Sequence, residues 1–270
     1  MKKDKRIFAN PFRMISPKLD SEALKLQELY RQPFSESYSV EKGVLVTISK
    51  IIEMTRLLAK YVHSGSEAQF NDCASLAKEV HDQERVLTRL ILESGVKGAV
   101  LKGLLRFPYR LERVGDLQEG ILGVLHAKAA QGVPFNDRAH AELDELFTLL
   151  AEILTNLRDA FVAPNKVLLD HILDQTKKTS QLLDDFRLAN WERVEGGFCH
   201  AQATSMYLHI LDCFKATNEY VVKMTDTLVG YYGVGQPRFR AFLNSLGLRK
   251  ADGTPRKSWA RYEARARAWR

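Results

Sequence analysis

The sequence predicts an all-α protein made of two three-helix bundles packed side by side. Three observations predict it. Apolar residues recur at three- and four-residue spacing through nearly everything between residues 38 and 230. Gly, Pro and Asn signals close each periodic segment, and no stretch alternates apolar with polar as a half-buried strand does. With 270 residues, 45% apolar and 27% charged, the chain has the composition and length to bury a substantial core.

The elements follow in order. Residues 1–38 read as a leader, with one helical segment, "PKLDSEALKLQELY", and a polar linker, "RQPFSESYS". The first long helix, "VEKGVLVTISKIIEMTRLLAKYV", places Val44, Ile48, Ile51, Ile52, Leu58 and Val62 on one stripe and stops at His63-Ser64-Gly65. A second, "AQFNDCASLAKEVHDQERVLTRLILES", stops near Gly95. The third covers "GAVLKGLLRFPYRLERVGDLQEGILGVLHAKAAQG", and Pro108 is expected to kink or restart it. Pro134, Asn136 and Asp137 then break the chain before the fourth, "RAHAELDELFTLLAEILTNLRDAFV", which Ala163-Pro164-Asn165 closes. The fifth, "KVLLDHILDQTKKTSQLLDDFRLANWERV", ends at Gly196-Gly197, and the sixth, "ATSMYLHILDCFKATNEYVVKMTDTLVG", around Gly230.

Three long helices followed by three more suggest an internal duplication, with one repeat at 39–133 and the second at 134–232. A shift of roughly 100 residues lays His81-Asp82 on Asp184-Asp185 and "RLERVGDLQEGI" opposite "CFKATNEYVVKM". Identity between the halves is low, so the repeat rests on pattern.

The net charge of +7 is concentrated in an appendage. From Gly235 onward ten basic residues face only Asp252 and Glu263, so the tail carries +8 and the remainder −1. In the tail, at 233–270, the stretch "SWARYEARARAWR" puts Trp259, Tyr262 and Trp269 on one side of a helix that Ser258 can cap, with arginine over most of the remainder. Arg261, Arg265, Arg267, Trp259 and Trp269 are therefore candidates for contact with an anionic surface, acidic lipid at the inner face of a membrane or nucleic acid. Salt-sensitive binding that disappears on deleting residues 235–270 would mark that activity as the main one. Of the two, nucleic acid is the less expected partner, because the body is near neutral.

Other classes are excluded by what is missing. No 18-residue apolar run spans a bilayer, and the N-terminal "MKKDKRIFANPFRM" lacks the apolar core of a secretory signal. Cys73, Cys199 and Cys213 form no CxxC pair, which points to core packing in a reducing compartment, the cytoplasm. No Glu has a His three residues later, as di-iron carboxylate bundles require. There is no HExxH, phosphate-binding loop or GxSxG, so no catalytic role is expected.

The informative segment is "RLERVGDLQEGI". Glu112 and Asp116 stack on one helical face and Glu119 continues the row, although like charges at this spacing repel by a few tenths of a kcal/mol. Gly115 sits between them, where glycine costs ~1 kcal/mol relative to Ala. A bound hard or borderline cation would remove the repulsion, and close approach of a neighbouring helix would explain the glycine. The alternative is a solvated acidic face offset by Arg110 and Arg113.

This segment resembles the Leu-Glu-Arg-Ile-Gly-Asp helix of the PhoU family, matching at Leu111, Glu112, Arg113, Gly115 and Asp116 with Val114 for Ile. "GVPFNDRAHAELDELF" and "TSMYLHILDCFKATNEYVVKM" look like the PhoU-like region attached to sodium/phosphate cotransporter proteins, and the resemblance spans roughly residues 40 to 230. It implies two three-helix repeats, multinuclear metal sites that often hold iron, and a regulatory role in phosphate uptake. The partner would be a phosphate transporter or its signalling protein, with self-association as a further expectation.

Carried over by position, the resemblance makes Glu112 and Asp116 ligands of a divalent or ferric ion, with Asp82 from the second helix. Where the family has an acid four residues before Asp82 this chain has Lys78, which leaves Glu79 or Glu84 as the compensating acid. The second-repeat motif runs from Lys215 to Glu219 and lacks its first carboxylate, leaving Asp185, Asp212 and Glu219 as weaker candidates.

Overall fold

The computed structural model of the chain describes residues 40–93, 98–162 and 165–233. The leader expected over 1–38, and the tail beyond Gly233 with Trp259, Arg261, Arg265, Arg267 and Trp269, lie outside these residues. Six helices make up the described part: α1 (Val40–Ser64), α2 (Glu67–Glu93), α3 (Gly98–Ala130), α4 (Asp137–Val162), α5 (Lys166–Glu195) and α6 (Ala201–Gly233). No strand occurs among the described residues, as the periodicity predicts.

The stripe of α1 is the start of the core. Val44, Ile48, Ile51, Ile52, Leu58 and Val62 are all buried, and α2 adds Cys73, Ala77, Val80, Leu87 and Ile91. Within the first half α1, α2 and α3 pack pairwise, and within the second α4, α5 and α6 do the same. The halves join along two seams, α1 against α4 and α3 against α6. At the first seam His63 Nε2 lies 2.7 Å from Asp144 Oδ1. At the second Arg110 donates to the Thr227 hydroxyl at 2.7 Å and to the Lys223 carbonyl. Phe107 of α3 also meets Phe161 of α4 edge-on, with centroids 5.4 Å apart.

Two differences from expectation concern helix ends. α3 runs through Pro108 without restarting, so the tertiary packing of buried Phe107 and Leu111 on either side outweighs the lost backbone bond. α6 continues past Gly230 to Gly233.

The helix stops themselves behave as glycine predicts. Gly132 (φ 64°) and Gly197 (φ 74°) both take the left-handed conformation that a Cβ disfavours. Around Gly132 the amides of Gly132 and Val133 bond the carbonyls of Ala129 and Lys128. Around Gly197 the amides of Gly197 and Phe198 bond Val194 and Arg193 in the same pattern. These two caps fix the α3–α4 and α5–α6 connections at one end of the second bundle. Across the α3–α4 connection Asn136 accepts from the amide of Ala139 (2.8 Å) to start α4, and Asn165 accepts from that of Leu168 (2.9 Å) to start α5.

Candidate metal centre

The seam between α2 and α3 is set by Gly115. A Cβ there would lie 2.8 Å from Cγ1 of Val80, a buried β-branched residue with little rotamer freedom. Glycine therefore lets the two helices approach at that level. One residue on from Val80, and on the α3 side, His81 Nδ1 lies 3.0 Å from Glu112 Oε1. Asp116, one turn along α3, completes a group whose ligand atoms all lie within 4.8 Å of one another: His81, Glu112 and Asp116. No other such group occurs among the described residues.

The three side chains differ in their surroundings. The Glu112 side chain is 13% exposed, whereas His81 is 46% and Asp116 40%. Glu112 is therefore the anchor of the group, and the other two reach it from the solvent side. Arg113 holds Asp116 at 2.9 Å, and Arg85 lies 3.1 Å from the remaining ring nitrogen of His81. One guanidinium thus sits beside the Asp116 carboxylate and the other beside the imidazole. A cation entering the group would displace Arg113 from Asp116 and take the imidazole from the Glu112 side.

The donor set fits a metal ion. Two carboxylates with one imidazole suit borderline ions such as Fe, Mn, Co or Zn, whereas Ca and Mg prefer all-oxygen surroundings. Three protein donors also leave coordination positions open to water or to an external ligand.

The remaining sequence candidates are placed elsewhere. Asp82 is exposed and outside the group; with ~100° of turn per residue it lies ~200° around α2 from Val80. Glu79, on the other flank of Val80, turns to α1 and pairs with Lys50 at 2.5 Å. Glu84 accepts from Thr88 at 2.7 Å. In the second half Asp185 is exposed, Asp212 pairs with Arg187 at 2.5 Å, and Glu219 lies 3.8 Å from Lys223. None of these joins a group of potential ligands among the described residues.

A pairing explains the difference between the halves. Positions 81 and 112 map onto 184 and 215 with the same offset of 103, and the side chains at both pairs meet. In the first half they are His81 and Glu112; in the second they are Asp184 and Lys215, at 3.4 Å. Position 116 maps onto 219 by the same offset. The second half therefore carries its own ammonium where the first half offers a carboxylate. Asn218, in the place of Gly115, is buried and donates to the Thr176 carbonyl (2.7 Å) and the Ser180 hydroxyl (2.8 Å) of α5.

No family model and no curated protein matches this sequence. A solved structure does match by shape: the phosphate transport system regulatory protein PhoU from Streptococcus pneumoniae superposes with a TM-score of 0.63. The match covers 79% of this chain and 97% of that one, at 14% identity. The chain has the PhoU fold. At that identity the likeness is one of architecture.

Sequence reasoning missed His81 as a member of the group. The signal was available, since His81 follows the buried stripe Cys73–Ala77–Val80 by one position and four, on the flank opposite Glu79. It also missed the buried triad of the second bundle. Glu142 accepts two bonds from Arg193 (2.8 and 2.9 Å) and one from the Tyr207 hydroxyl (2.5 Å), all below 10% exposure. Burial and the neighbouring carboxylate push the Tyr207 phenol well above its usual range, so it stays a donor.

Proposed function

We propose that this chain is a PhoU-like accessory protein that regulates phosphate transport or phosphate signalling by binding, without turning over a substrate. The observation that carries this reading is the fold shared with a phosphate transport system regulatory protein. Fold alone does not assign function, so the reading leans also on the one group of potential ligands among the described residues, at the helix that carries the PhoU-like motif. In this reading His81, Glu112 and Asp116 hold a borderline divalent or ferric ion, with iron among the options. Bound there, an ion would link α2 to α3 and would supply a Lewis-acidic centre at the exposed side of the group. No described helix is long and apolar enough to cross a membrane. In this reading the transporter or its signalling protein is a separate chain, met at the cytoplasmic face.

Two experiments test the two parts. Phosphate uptake by the source cells, with and without the gene, should differ; equal uptake under both phosphate-rich and phosphate-poor conditions would remove the regulatory reading. Elemental analysis of protein purified without chelator should find a transition metal, and Glu112→Ala should lower affinity by at least about tenfold. Equal metal content in wild type and Glu112→Ala would place any metal elsewhere.

A further inference from the structure

One end of the second bundle holds a cavity of about 170 Å³ between the α3–α4 and α5–α6 connections. It shares no residue with the His81, Glu112 and Asp116 group of the α2–α3 seam. Its walls are held by the two glycine caps at Gly132 and Gly197. Phe135 and Tyr207, set edge-on at 88° with centroids 6.2 Å apart, form one side, and Phe198 lies at the rim, 79% exposed. The Tyr207 hydroxyl is already committed to Glu142, which Arg193 neutralises, so the wall behind the ring is closed to further charge.

Two polar residues of the lining are left over. Asn190 is 2% exposed and Thr204 8% exposed, yet the Asn190 Nδ2 and the Thr204 hydroxyl have no hydrogen-bond partner within the protein. Unmade bonds of this kind are rare in native structures and call for an explanation at each site. Asn136, by contrast, is satisfied: its oxygen caps α4 and its amide reaches Cys199 Sγ at 3.4 Å. No Asp, Glu, Lys or Arg lines the cavity.

We propose that this cavity is a binding site for a small neutral ring compound bearing a carbonyl oxygen, such as an aromatic carboxamide. Size sets the first limit: an engineered cavity of ~150 Å³ admits benzene, so one ring with a short substituent is the scale that fits here. Chemistry sets the second. Asn190 Nδ2 is a donor and the Thr204 hydroxyl can donate, so the complement they lack is an acceptor. The only basic side chain in the lining is His200, which is exposed, so a carboxylate or phosphate buried against the aromatic wall would be desolvated without a fixed counter-ion. The aromatic wall accepts a ring edge-to-face.

The test is saturation-transfer NMR on the full chain with three probes of similar size: benzamide, benzoate and toluene. Benzamide should bind, with both benzoate and toluene weaker by about tenfold or more, because a site built to hydrogen-bond discriminates against partners that lack the group. Thr204→Val keeps the shape and removes the hydroxyl, so it should reduce benzamide binding severalfold. Ala203→Leu, from a lining residue that is 7% exposed, should fill the cavity and abolish it. Circular dichroism monitors folding of both variants, and if Ala203→Leu fails to fold, Thr204→Val carries the comparison. The proposal is overturned by any of three results: no transfer to benzamide at millimolar concentration, toluene binding as well as benzamide, or benzamide binding that a folded variant leaves unchanged.

Discussion

Gly115 and Gly123 lie on the same helix and should respond oppositely to alanine. At Gly115 the new Cβ meets the Val80 methyl at 2.8 Å, and overpacking of this kind costs ~1–3 kcal/mol against a propensity gain of ~1 kcal/mol. Gly115→Ala should therefore lose up to ~2 kcal/mol in urea denaturation and should weaken metal uptake, as α2 and α3 are pushed apart. At Gly123 nothing lies within 4 Å of the added atom, so Gly123→Ala should stabilise by ~1 kcal/mol. Stabilisation of both to the same degree would mean the α2–α3 approach does not depend on glycine. The purpose of Gly115 was legible in the sequence, because a costly glycine between two helical carboxylates needs a neighbour to explain it. The choice between His81 and Asp82 was not. One position on a helix turns the side chain by ~100°, and only the burial of Val80 and Ala77 shows which flank faces α3.

At the scale of helices, the apolar stripes and the glycine and asparagine stops made the number and order of the six helices legible. What they left open was how each pair of helices is held where they meet. The offset of 103 that relates His81–Glu112 to Asp184–Lys215 becomes visible only when both contacts are seen. It also suggests an experiment that builds rather than removes. Asp184→His with Lys215→Glu would place an imidazole and a carboxylate beside Glu219, the donor types of the first half. The double variant should bind about one further equivalent of Zn²⁺ or Co²⁺ per chain, provided Lys223 releases Glu219. Cobalt absorption spectra and equilibrium dialysis read this directly. A stoichiometry equal to wild type would show that the two faces differ in more than the exchanged pair. Weak surface bridges of this kind are worth ~0–1 kcal/mol, so the exchange should leave the fold intact.

For the whole molecule, stability depends on two bundles keeping their α1–α4 and α3–α6 seams. The first seam contains a stacked pair of histidine rings. His140 of α4 stacks on His63 of α1 with centroids 5.0 Å apart, and His63 meets Asp144. Burial, then the positive charges of Lys128 and His63, lower the His140 pKa from its usual 6.5, against smaller opposing effects of Asp144 and Asp137. Lys128 lies over the Phe135 ring at 4.9 Å, and burial lowers its own pKa as well. Because the folded pKa of His140 lies below the unfolded one, the unfolded chain binds more protons once the pH drops beneath 6.5. The contribution of neutral His140 is thus complete above that pH and is lost as the pH falls toward the folded value. His171 on α5 is lowered by burial in the same sense, so two groups act together on acidification. Urea midpoints should fall between pH 7 and pH 5, and His140→Phe should flatten part of that fall while leaving the share due to His171. Phenylalanine can take the place of the ring beside Phe135, whose centroid lies 6.0 Å away, without offering a site for a proton. An unchanged pH slope in His140→Phe would move the acid sensitivity from this seam to the carboxylates elsewhere on the bundles.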